Sequence, residues 1–81
     1  MTTFTQPILR LHEVSRVIRV RHPQDMSVRY YYEMLDPERF ATIPDKMMAR
    51  RMGFSDALHN RQLLADLFPG FVFTVEPLLD R

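Results

Sequence analysis

The sequence predicts a small α+β domain. In this two-layer sandwich an N-terminal β-hairpin and a returning C-terminal strand form a three-stranded antiparallel sheet under two to three short helices. Three observations lead there. Residues 14–22 and 27–35 are rich in β-branched and aromatic side chains on either side of turn chemistry. The middle of the chain changes period, with helix-start residues at Asp36, Pro44 and Ser55. Residues 71–76 then alternate apolar and polar again.

The 81 residues are 46% hydrophobic, with 11 basic and 10 acidic side chains and a net charge of +1. A chain of this length buries about 64% of its extended surface, enough for one small core. It reads as a single domain over 1–81, with 1–7 a loose lead-in or short edge strand. Long disordered segments combine low hydrophobicity with high net charge, and neither holds here. The absence of cysteine removes disulfide staples, thiolate chemistry and Cys-based zinc sites. Such a fold leans on its core and, where that falls short, on a partner.

The elements follow in order. Pro23, Gln24 and Asp25 turn the chain between the two hairpin strands, Pro by fixing φ and Asp by tolerating unusual backbone. A helix over 8–20 competes for the first strand, since Leu11, Val14 and Ile18 also recur near 3.6. Asp36, Pro37 and Glu38 combine an N-cap acceptor, a first-turn proline and an acid at the positive end of a helix dipole. That helix is short, because Ile43 precedes Pro44 and is steered away from α geometry. A second helix runs 44–52, with Gly53 as a left-handed C-cap. Ser55 and Asp56 cap a third, ended by Pro69 and Gly70. In the last strand Phe71, Phe73 and Val75 share one face, and Val72, Thr74 and Glu76 the other. Pro77 ends it.

The hairpin's outer face is the most informative surface. Pairing apolar with apolar sets Val20 opposite Val28 and Ile18 opposite Tyr30. The other face then gathers Arg19, Arg21, Arg29 and Tyr31. Arg19 falls opposite Arg29, a like-charge pair that weakens a strand pairing unless something relieves it. Three guanidinium groups and a tyrosine together suit carboxylates or phosphates from outside the domain. Charged strands also guard against edge-to-edge pairing, and arginine stems cover exposed sheet well. Arg50 and Arg51 add basic charge from the second helix. Met47, Met48 and Met52, with Met34, suit either core filling or a compliant contact surface.

The helix 44–52, a turn at Gly53 and a helix from 56 resemble a helix-turn-helix over about 20 residues, with Ala49 and Gly53 at the small-residue and turn positions. Asn60 and Arg61 suit base edges, but His59 and Gln62 fall where buried aliphatics are needed. Nucleic-acid binding is mainly electrostatic, and a charge of +1 spread evenly gives it little. His12, His22 and His59 lie in no metal-ligand spacing. No nucleophile elbow or phosphate-cradling glycine loop is present. The N-terminus lacks a secretory pattern and no apolar run is long enough to span a bilayer, so a cytoplasmic protein without membrane association is expected.

The expectation is therefore a non-enzymatic protein-interaction module without cofactor or metal. It binds an acidic surface of a larger protein, as inhibitor or adaptor, through Arg19, Arg21, Arg29, Tyr31, Arg50 and Arg51. Small motif-free domains of phages and mobile elements, CRISPR-blocking proteins among them, offer an analogy of class. The alternatives are a nucleic-acid-binding regulator using the arginine face or the 56–68 helix, and a subunit of a larger assembly or a homodimer that covers open sheet edges.

Overall fold

A computed structural model describes residues 15–79. Its elements are β1 (Arg16–His22), β2 (Asp25–Asp36), β3 (Arg39–Ile43), a 3-10 turn (Lys46–Met48), α1 (Phe54–Leu67) and β4 (Val72–Pro77). The four strands form one antiparallel sheet in the order β3-β2-β1-β4. The α+β class, the N-terminal hairpin and the C-terminal strand match expectation, whereas the fourth strand and the single α-helix do not. The lead-in expected at 1–7 lies outside the described residues. From Arg16 the chain is strand, not the competing helix.

The segment expected to start a helix at Asp36 is a hairpin turn. The Asp36 carboxylate accepts the Glu38 N–H (2.8 Å) and Arg39 Nε (2.9 Å), closing the β2–β3 connection. An Asp-Pro pair suits an Asx turn as well as a helix cap, and here the following residues pair with β2 instead.

The expected 44–52 helix shrinks to one 3-10 turn, in which Asp45 Oδ1 accepts the Met47 N–H at 3.0 Å. From Ala49 the chain is extended, because strand backbones supply its hydrogen bonds. Arg50 N–H donates to the Tyr31 carbonyl (3.1 Å), and Arg16 and Met52 exchange two bonds (2.7 and 2.9 Å). Gly53 is thus no left-handed C-cap: at φ −71° it is the N-cap of α1, and Asp56, not itself the cap, lies in the first turn.

The hairpin differs in register. Its loop is Pro23 and Gln24, with Asp25 already paired to His22. Beyond a shift in the ladder, Val20 faces Arg29 and Arg19 faces Tyr30. That is one residue from the expected pairing, and one residue exchanges the faces of β2. The gain is burial of Tyr31, which joins Ile18, Val20, Leu64 and Phe73 in the main core. Phe40 packs there against Phe68 and Phe71, with ring centroids 4.6 and 5.3 Å away. On the opposite face Val17, Ala49 and Leu78 close a smaller cluster with Tyr30 and Ile43. One face is therefore covered by α1, the other by the strap of residues 44–52.

Candidate functional site

The structure separates the six residues that the sequence nominates. Arg19 and Arg21 lie on the strap side, opposite Thr74 and Val72 of β4. Arg19 is paired with Glu76 at 3.1 Å, so the relief that the sequence failed to show comes from a strand far along the chain. Arg29 lies on the α1 side, not across from Arg19. Its Nε donates to Thr42 Oγ1 (2.6 Å) and its NH2 to the Thr42 carbonyl (3.2 Å), covering part of edge strand β3. The like-charge pair expected between Arg19 and Arg29 does not exist.

Tyr31 is 8% exposed and packs in the core, so it is not the solvent-facing tyrosine of the run. Burial pushes its phenol above the usual tyrosine range, with the Arg50 charge pulling the other way. Tyr32 is the exposed one, at 43%.

Arg50 and Arg51 do meet. With Tyr31, Met52, Asp56 and Asn60 they line a cleft of about 270 Å³ where the strap reaches the start of α1. Arg50 Nε donates to the Tyr32 carbonyl (3.0 Å), and its guanidinium lies 5.8 Å from the Tyr32 ring centre. Glu33 stands 3.6 Å away, a loose ion pair. Arg51 donates to the Met47 carbonyl (3.3 Å), and among the described residues no carboxylate pairs with it. Asn60 is held by the Asp56 carbonyl (2.8 Å) and lies 3.5 Å from Met52 Sδ.

The methionines divide. Met34 and Met52 pack against the core, whereas Met47 and Met48 are 49% and 58% exposed. Sequence reasoning missed Tyr32, because its placement depends on the hairpin register. It left Met47 and Met48 between two roles, because a regular helix would have turned one of them inward.

The helix-turn-helix does not form, its first helix being a 3-10 turn. Among the described residues no group of three or more His, Asp or Glu could hold a metal ion. No helix there is long and apolar enough to cross a membrane, which says nothing of strands. No protein-family model, curated protein or solved structure matches the chain.

Proposed function

We propose that this chain is a small non-enzymatic interaction module that binds an acidic surface of a larger protein, as an inhibitor or adaptor. The carrying observation is the corner where Arg50 and Arg51 stand beside exposed Met47, Met48 and Tyr32. Interfaces concentrate Arg, Tyr and Met, because large contact area then comes with bidentate donors. Met48 is more than half exposed, and among the described residues Arg51 has donors without a carboxylate. The strap that presents them is tied by backbone bonds to both β1 and β2, so little freedom is lost on docking. This surface replaces the hairpin face as the contact region; Arg19 and Arg29 serve the fold.

The test is capture from native-host lysate by tagged full-length protein, with and without nuclease. Two variants run beside it: Arg50→Glu/Arg51→Glu, and Arg21→Glu on the strap side of the sheet. A nuclease-resistant partner lost in the first variant and kept in the second is expected. Undiminished capture by the first variant overturns the reading. Recovery of nuclease-sensitive material alone moves the protein to nucleic-acid binding.

A further inference from the structure

We infer that the α1 side of the sheet, over β2 and β3, holds an amphipathic α-helix of the partner, antiparallel to α1, with its C-terminal carbonyls at Arg50 and Arg51. This rests on the interaction-module reading and names the partner's docking element. Four strands spaced about 4.8 Å apart make a surface about twice the roughly 10 Å width of a helix. Among the described residues α1 lies chiefly over β1 and β4, and beside β2 and β3 its flank is bordered by two clefts, with Tyr31 and Phe40 forming the floor between them.

The flank of α1 toward that space is half apolar. Asp56, Asn60, Leu63 and Leu67 fall on one stripe by helical spacing, with Leu63 42% and Leu67 40% exposed. The Arg50–Arg51 cleft opens at one end of this flank. At the other, Leu35, Phe40, Phe68 and Phe71 line a second, apolar cleft of about 410 Å³. The two ends differ in charge. At the first, Glu33 lies 3.6 Å from Arg50, and Arg51 is the guanidinium that among the described residues has no carboxylate partner, with Asp56 on the α1 side of the cleft. At the second, Glu38 has no cation partner among the described residues, while Asp36 holds Arg39 at 2.9 Å.

A helix presents free carbonyls and partial negative charge at its C-terminus, and free N–H groups and partial positive charge at its N-terminus. Arg50 and Arg51 suit the first and Glu38 the second. Because α1 itself begins at the Arg50–Arg51 end, the incoming helix runs antiparallel to it. An extended strand fits less well, since Arg29 already occupies the Thr42 carbonyl on the β3 edge. The outward face of α1, Ser55, His59, Gln62 and Asp66, is exposed and polar, so a second copy would have to present one of the helix's half-apolar flanks, and a dimer is one outcome of the test.

The test uses isotope-labelled full-length protein and two synthetic probes in an NMR titration. One is an amphipathic peptide of Leu, Ala, Glu and Lys, about 15 residues long to match the span of α1. The other has the same composition apart from central prolines that forbid a helix. The helical peptide is expected to shift Phe40, Leu63 and Leu67, and the proline peptide to bind at least about tenfold more weakly. Leu63→Asp/Leu67→Asp is expected to weaken the helical peptide by about tenfold or more with the folded spectrum kept. A nitroxide on the peptide's C-terminus is expected to broaden Arg50 to Met52, and one on its N-terminus Glu38 to Phe40.

No shift at Leu63 and Leu67, equal binding of the two peptides, or the reversed broadening pattern overturns the inference. So does a dimeric mass in light scattering that Leu63→Asp/Leu67→Asp returns to monomer. Loss of captured partner in the Arg50→Glu/Arg51→Glu variant beside any of these outcomes keeps the module reading and removes only the helix.

Discussion

Tyr31 and Tyr32 are chain neighbours, yet one ring lies with Ile18 and Leu64 in the core and the other lies beside the Arg50 guanidinium at the surface. The buried phenol sets a pH limit. Its pKa is raised in the folded chain, so the neutral form is favoured there. The resulting stability is complete below the unfolded value near 10 and is lost as pH rises through the higher folded value. Tyr31→Phe has nothing to ionise. Its melting temperature relative to the parent is expected to improve above about pH 10. Parallel alkaline curves would contradict that. The same contrast separates two leucines of α1. Leu64 is 1% exposed, and Leu64→Ala is expected to cost about 2–5 kcal/mol in denaturant unfolding. Leu67→Ala, at 40% exposure, is expected to cost less than about 1 kcal/mol.

At the scale of elements the strap is the least ordinary piece. It has one 3-10 turn, yet it is held by the Arg16–Met52 bonds, the Ala49–Val17 packing and an ion pair of Lys46 with Glu76 at 3.3 Å. Glu76 joins β4 both to the strap and to Arg19 on β1. Glu76→Gln is expected to cost up to about 1 kcal/mol and to speed hydrogen exchange at 48–50 more than in α1. Equal or slower exchange in the strap would remove it as a tie. Here lies the limit of what the sequence shows. The alternation of Phe71, Phe73 and Val75 and the helical run stopped before Pro69 were legible, because local pattern alone decides such elements, whereas the cap lay at Gly53 and not at Ser55 or Asp56. Asp36, Pro37 and Glu38 were not, since helix caps and tight turns use the same carboxylate. The 44–52 segment became a strap because β1 and β2 offered backbone partners that no local pattern announces. Of the nominated contact residues, Arg50 and Arg51 were legible as an exposed pair. Arg29 and Tyr31 were misplaced by a register that slips by a single residue.

At the scale of the molecule, the one α-helix of the described residues leaves an unequal distribution of cover over the four-stranded sheet. β1, central in the sheet, is covered by α1 on one side and by the Ala49–Leu78 cluster on the other, which accounts for Val17 and Ile18 both being fully buried. β2 and β3 have α1 only at their flank, and there the chain keeps apolar side chains at the surface. The functional account depends on that space being open in the free chain. The measurement that tests it most directly is broadening of side-chain methyl signals by a soluble paramagnetic agent in full-length protein. Leu35, Leu63, Leu67 and Met48 are expected to broaden strongly, and Ile18, Val17 and Leu64 hardly at all. Protection of Leu63 and Leu67 to the level of Leu64 would mean that the chain itself covers this face, and would contradict the account.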